Sequence, residues 1–548
     1  MNKEFLAIFV LIFLFLVAIV TASTFIDNSQ SNFDSGTYNW TFYNSSGFVQ
    51  LNESRLNGTY TSQIFNSGRS SQWNNISWFT EVPYNQELPN NQEVETGDFL
   101  RGINMTGNVL LMHMNNDSFY GENDTHVYDF SGNGNNGTGI GFDGDEVTGY
   151  GKLNGAFDFD GTDDYVDVGT TILPANGDLT LSMWQQTRSS AIAHTALFGQ
   201  NEDIFILYGV TTFGLANNQL RLFVDGEVCV GSDLRDDAWH LITVVRSGNN
   251  WIVYKDGTED CSGIKASDPG IGDSFIGRRV TAADMVHDGL IDEVAIFNRS
   301  LSATEIQDIY KRGALRLNLS AQSCDDASCS GESFTNLGNN LTSPQNLSVT
   351  DNQYFQYKFD FTTDNASYTP ELYNVTVDYT ILNSAPTTTL NSPSNNSYQN
   401  DISSILLNAT VNDLDLNNMT VWFYGGYPNG TFSIINTTYN QTNGTSVTYN
   451  WTGLSALGQY NWTVIANDGT ANSTNEYFFF NLINLTVNCE AGGGYQQGAL
   501  VLVQGNVTDG TSALNSQSVN LTVYDASNNL DGSANLTSAD DGSFETTF

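Results

Sequence analysis

The sequence predicts an all-β protein built from tandem β-sandwiches, and three observations carry that reading. Charged residues make up only 14% of the 548 positions, so Asn, Ser, Thr and Gly must supply the polar surface, and these favour strands, turns and loops over long helices. Short strands bounded by Gly, Asp or Asn recur at regular spacing, the pattern of a sandwich or jelly roll. Hydrophobic residues at 40%, with aromatics at 12%, are enough for packed cores. At roughly 100 to 200 residues per domain the length predicts three to five domains. The 60 Asp and Glu against 18 Lys and Arg give a formal charge of −42, which repels phosphate backbones and excludes nucleic acid as a partner.

Phe5 to Val20 is an unbroken apolar run after the short polar start Met1 to Glu4. It reads as a helical secretion signal over 1–22, with Val20-Thr21-Ala22 as cleavage tripeptide and an uncleaved anchor as the alternative. The chain is therefore expected outside the cell or at its surface. Asn-X-Ser/Thr acceptors number 29 and run from Asn39 to Asn136, stop, and resume from Asn298 to Asn535. Between Lys152 and Arg312, nearly the same borders, lie 12 of the 18 basic residues, and none follows Lys358. Two independent signals thus mark one central module with a bare, unglycosylated surface.

Inside that module Ala156/Asp158 and Phe157/Phe159 alternate before a Gly-Thr-Asp-Asp turn and a second strand, Tyr165 to Val168. Further strands are expected at Leu179 to Trp184, Ile204 to Tyr208, Gln219 to Val224, Trp239 to Arg246, Trp251 to Lys255, Ser274 to Ile276 and Leu290 to Phe297. One helix follows: Ser302 caps it, Glu305 completes the capping box, Ile306, Ile309 and Tyr310 share a face, and Gly313 is expected to stop it. Trp184, Trp239 and Trp251 each sit in an apolar strand and are read as core rather than as a sugar platform.

Five cysteines in a secreted chain read as disulfides plus a remainder. Cys229 and Cys261 each follow a strand and an Asp-Gly turn, so adjacent hairpins would bring them together. That bridge closes a loop of about 33 residues, worth ~3–4 kcal/mol in the chain-entropy model. Cys324 and Cys329 are spaced to close a small ring, with no His or second Cys pair nearby to favour a metal, and Cys489 is left over.

The motifs DFSGNGNNGT from Asp129, GAFDFDGTDDYVDV from Gly155, LTLSMW from Leu179, AWHLITVV from Ala238, WIVYKDG from Trp251 and GLIDEVAIFNRSLSATEIQDIY from Gly289 stand in one order. In that order they resemble the LamG-like jellyroll domains of the concanavalin A-like lectin/glucanase superfamily, over about 105–313. The resemblance implies two stacked antiparallel sheets of about a dozen strands. It also implies a structural calcium ion, held by Asp292 of the last-strand motif with oxygens from the N-terminal loop, here Asp129 and Asn135; Asp163 is a further candidate. Each has a plainer role beside it: an Asx turn for Asp129, a solvated turn acid for Asp163, and backbone capping or pairing with Arg299 for Asp292. Arg278, Arg279 and His287, in a longer loop beside the closing strand, are candidates for a ligand rim.

Hydrolytic members of the superfamily carry glutamates paired on one strand, and no such pattern occurs here. Asp292 and Glu293 are adjacent, so a regular strand turns them to opposite faces. The chain is therefore read as non-catalytic.

The flanks complete the organisation. Residues 23–104, with Trp40, Phe42, Trp73 and Trp78, look like the first half of a sandwich; 314–382 supply further alternating strands and look like its second half, with 105–313 inserted between them. The pair resembles a β-sandwich of prokaryotic surface proteins. Residues 383–483 resemble an immunoglobulin-like or fibronectin type III-like module, and 484–548 begin another sandwich that stops inside an apparent strand, as a truncated chain would. Any membrane attachment is expected only through the N-terminal segment or a missing C-terminal anchor. Sequon density and low Lys content are similar to those of archaeal envelope proteins. The expected function is binding of an extracellular glycan or glycoprotein in adhesion. A structural envelope component with spacer modules, and an extracellular glycoside hydrolase or lyase, are the alternatives.

Overall fold

In the computed structural model, strands dominate and two helices, Gln30–Phe33 and Ala303–Ala314, are found among the described residues. These are residues 23–548 apart from short stretches, the longest being 209–218, 280–284, 492–501 and 525–529, so the signal segment expected over 1–22 lies outside them. The chain forms two compact units, one spanning Val20–Ile381 and the other containing Leu382–Phe548.

An 11-stranded sheet of the first unit draws its strands from both ends of that unit. Phe65–Thr80 pairs antiparallel with Leu372–Ile381, setting Trp78 opposite Val375 and Ile76 opposite Val377. Asn57–Thr61 pairs with Asn352–Thr363, setting Tyr60 opposite Phe359. The reason is readable in the alternation of the latter strand, whose Phe355, Tyr357, Phe359 and Phe361 are all buried while the residues between them are not. Trp73 stacks on Phe355 with ring centroids 4.8 Å apart. Neither flank can bury these aromatics alone, and at ~150–250 Å² apiece they are the main driving force for joining the two.

Between these flanks lie an eight-stranded and a seven-stranded antiparallel sheet, more strands than about a dozen. Short strands with weak alternation, such as Thr138–Ile140 and Thr258–Ile264, make up the difference. The two sheets enclose one core, including Met112, Phe157, Phe159, Met183, Leu222, Val244, Trp251, Ile276 and Ile291. On the far side of the eight-stranded sheet, Ser302 accepts the Glu305 N–H and Glu305 returns the bond, closing the capping box of the Ala303–Ala314 helix. Tyr310 of that helix stacks on Trp184 at 5.6 Å. Gly313 does not stop the helix, which continues to Ala314. Its role is steric: a Cβ there would lie 2.5 Å from the Trp184 ring.

Both expected disulfides form, Cys229–Cys261 across 32 positions and Cys324–Cys329 across five. In the second unit a three-stranded and a five-stranded sheet bury Trp451, Tyr460, Trp462 and Phe480 between them. Smaller sheets follow, in which Ser543–Thr547 pairs with Leu502–Thr508 and Cys489 lies in the strand Thr486–Ala491.

Candidate ligand-binding cleft and buried acid cluster

The outer face of the eight-stranded sheet is covered by the Ala303–Ala314 helix and by Leu88, Ile103 and Met105 of the preceding segment. Beside that cover the sheet stays open, and a cleft of about 780 Å³ separates it from the flanking sheet. Lys152, Gln186, Asp237, Trp239, His240 and Asp256 line one wall, Tyr310 the floor, and Arg316, Asp364 and Asn365 the other. Trp239, read from the sequence as core, is only half-buried: it packs against the outer-face cluster of Leu241, Trp184 and Tyr310 and lines this cleft with the rest of its ring. Trp184 and Trp251 are buried as read.

Charge in the cleft is organised in pairs. His240 Nδ1 lies 2.7 Å from Asp256 and its Nε2 lies 3.1 Å from Asp236. Burial pushes an imidazole's pKa down, but these carboxylates outweigh it and hold His240 above its ordinary value. Asp364 takes Lys152 from the central body and Arg316 from its own sheet. Burial raises its carboxyl, and the two cations more than reverse that, leaving its pKa below the ordinary range.

The residues expected to share a calcium ion fall in three separate places. Asp129 is buried; its Oδ1 accepts the N–H groups of Leu111 and Ser131 at 3.0 and 2.9 Å, and its Oδ2 accepts that of Asn135 at 2.8 Å. Asn135 in turn donates its side chain to the Val109 carbonyl. The two residues staple the loop 129–136 to the strand Asn108–Met112. Asp163 lies in an exposed turn with Asp160 and Asp164. Asp292 is fully buried under the Leu153 N–H, which it accepts at 2.8 Å.

The candidate rim also separates. Arg278 lies over the rings of Tyr165, at 4.2 Å, and Phe275, at 5.3 Å. Arg279 reaches Met285. His287 belongs to no rim: it is fully buried, its Nδ1 3.1 Å from Thr195 Oγ1, and burial pushes its pKa down to about 3.

The expectation that Asp292 and Glu293 face opposite ways is corrected by the backbone. Ser182 stands opposite Ala295 and Trp184 opposite Asp292, so three steps on one strand match two on the other. Glu293 is the inserted residue, with φ of 50°. The alternation breaks there: Ile291 and Val294, three apart, both point into the inter-sheet core. Both acids thereby fall on the outer face. Glu293 Oε1 meets His113 Nδ1, and its Oε2 accepts the Leu88 N–H at 2.9 Å. Ligand atoms of Glu87, His113 and Glu293 lie within 4.8 Å of one another. Sequence reading missed Glu87 and His113. Glu87 sits in a segment without strand pattern, and the one available signal was a histidine amid the apolar run Leu110 to Met114 in a chain with five.

Residues 160–307 match the family model described as the concanavalin A-like lectin/glucanases superfamily. These residues form a domain of that superfamily. No curated protein matches the chain. Among solved structures, the chain is similar to domain 4 of an extracellular arabinanase from Geobacillus stearothermophilus, solved with arabinotriose, at 20% identity and TM-score 0.30, covering 37% of this chain and 98% of that one. It is similar to a Trypanosoma rangeli sialidase at 14% identity and TM-score 0.30, covering 39% of this chain and about a third, 34%, of the sialidase. It is also similar to domains LG4-5 of the mouse laminin alpha1 chain at 11% identity and TM-score 0.19, covering 56% and 75%. In this lectin-type domain the cleft belongs to the eight-stranded sheet's outer face, and the acid cluster to the joint between that domain and the segment before it.

Proposed function

We propose that the protein is a non-catalytic, extracellular carbohydrate- or glycoprotein-binding protein acting in adhesion at the cell surface, and that the 780 Å³ cleft is where the glycan sits. The observation that carries this is the half-buried Trp239 in a lectin-type domain, flanked by Gln186, Asp237 and Asp256. An indole face takes the apolar CH face of a sugar ring, while carboxylates and amides take its hydroxyls. The two disulfides are compatible with an oxidising, extracellular compartment. The stretch from 137 to 297 carries no glycan acceptor, so nothing attached to it would shield the cleft. We further propose that the lectin-type domain is a guest inserted into the 11-stranded sandwich, whose strands come from both sides of it.

The test is a glycan array with the full chain, then titration of a bound glycan against Trp239→Ala. The variant is expected to bind at least tenfold more weakly while still unfolding in one cooperative transition, at a lower temperature because the ring also packs on the outer-face cluster. Absence of glycan binding, or binding indifferent to Trp239→Ala, overturns the assignment of the cleft. Release of reducing ends from a bound polysaccharide overturns the non-catalytic reading.

A further inference from the structure

We propose that Glu87, His113 and Glu293, with the buried carboxylate of Asp292 behind them, form a binding site for a divalent transition-metal ion of the zinc type, which pins the lectin-type domain to the segment leading into it. The proposal is independent of glycan binding and uses a different place in the fold.

Three chain segments meet there. Glu87 comes from the segment after the strand Phe65–Thr80, His113 follows the strand Asn108–Met112, and Asp292 and Glu293 come from the bulge in Asp288–Phe297. Ligand atoms of Glu87, His113 and Glu293 lie within 4.8 Å of one another. Ligands held ~2.0–2.2 Å from one ion stand at most about 4.4 Å apart, so small side-chain shifts close the set.

The histidine is already oriented as a ligand. Its Nε2 lies 2.8 Å from Asn90 Oδ1, an acceptor, so Nε2 donates there and leaves Nδ1 facing the Glu293 carboxylate. Two electron-rich atoms in contact need a proton or a cation between them.

Asp292 points to the cation. It is fully buried, its Oδ2 takes the Leu153 N–H, and its Oδ1 accepts no hydrogen bond. The neighbouring residue, Asn154, donates to Glu87, which also takes Asn115 at 2.6 Å. The Leu153–Asn154 corner therefore links Asp292 to Glu87, with the Asp292 carboxylate lying just outside the group formed by Glu87, His113 and Glu293. Among the described residues no Lys or Arg pairs with these three carboxylates; Arg312 beside them is spent on Glu95 and on backbone carbonyls. A bare carboxylate oxygen in a dry site beside two further acids is costly unless a cation neutralises it.

One imidazole and two carboxylates, with a fourth position open to water or to Asp292, suit Zn²⁺ rather than Ca²⁺, which takes six to eight oxygens. A pocket of about 380 Å³ lined by Asn90, Glu87 and His113 gives the ion access from solvent.

The test uses the full chain, stripped with a chelator and titrated calorimetrically with ZnCl2, and in parallel with MnCl2 and CaCl2. The native chain is expected to bind one more Zn²⁺ than the Asp292→Asn/Glu293→Gln double variant and to melt at higher temperature with Zn²⁺ present. Both changes keep side-chain volume and remove like charges, so the stripped variant is expected to melt no lower than the stripped native chain while losing the Zn²⁺ response. Equal Zn²⁺ stoichiometry in native and variant overturns the proposal, as does a site lost in the variant that prefers Ca²⁺ over Zn²⁺. A stripped variant that melts well below the stripped native chain would show that a proton alone holds the cluster, and would also overturn it.

Discussion

Lys152 of the lectin-type domain and Asp364 of the flanking sandwich form an ion pair across their boundary, with the ammonium 4.6 Å from the Trp184 ring. The lysine side chain is almost wholly buried, whereas Asp364 keeps about a third of its exposure. Burial depresses the lysine's pKa despite the carboxylate beside it. Asp364→Asn would leave that ammonium under-compensated. A loss of ~1–2 kcal/mol is expected in urea unfolding, between the values for exposed and for broken buried pairs. An unchanged midpoint would show that Lys152 has moved to solvent.

Gly313 offers a steric counterpart. Alanine is the better helix former by ~1 kcal/mol, yet its Cβ would press on the Trp184 ring at 2.5 Å. Overpacking of this kind costs ~1–3 kcal/mol. Gly313→Ala is thus expected to destabilise the chain on balance, read as a lower denaturation midpoint; a raised midpoint would mean the helix shifts freely.

His240 gives a pH dependence with a definite sign. Its pKa in the fold is raised above 6.5. Such a group contributes stability that is complete below its unfolded value and is lost as pH rises through its folded value. The native chain should therefore lose stability as pH climbs above 6.5, and His240→Gln should lose less over the same interval. His113, also raised, adds to the slope in both proteins, so the comparison between them is what counts. Parallel unfolding midpoints at about pH 6 and about pH 8 in native and variant would contradict the role of Asp256 and Asp236.

If the lectin-type domain is a guest, nicking it should not release its host. Proteolysis within 105–313 is expected to leave 23–104 and 314–382 together on a sizing column, because Trp78 pairs with Val375 and Tyr60 with Phe359. Separation of the two fragments would sink the insertion.

What could be read from residue order was whatever local chemistry decides. The capping box at Ser302 and Glu305, the alternation around Phe157 and Phe359, and the Cys229–Cys261 bridge all follow from periodicity or turns within a few residues. Glu293 did not, because an inserted residue is set by the partner strand's register rather than by its own neighbours. For the same reason a pattern that told Asp292 and Glu293 apart by face failed. Trp239 was read as core, and it does pack on the outer-face cluster, but how far its ring stays uncovered is set by where the Ala303–Ala314 helix ends its cover, which strand periodicity does not carry. Glu87 was invisible, since only tertiary packing carries an irregular segment to the bulge.

The sheet whose neighbours come from opposite ends of the first unit also sets a timetable. On the ribosome, Tyr60, Trp73 and Trp78 appear some three hundred residues before Phe359 and Val377 can cover them. The middle can complete itself early, while the leading half must wait, oily and incomplete, until the last strands are synthesised. Translation pauses or chaperone shortage should accordingly harm the outer half-sheets before the core they surround.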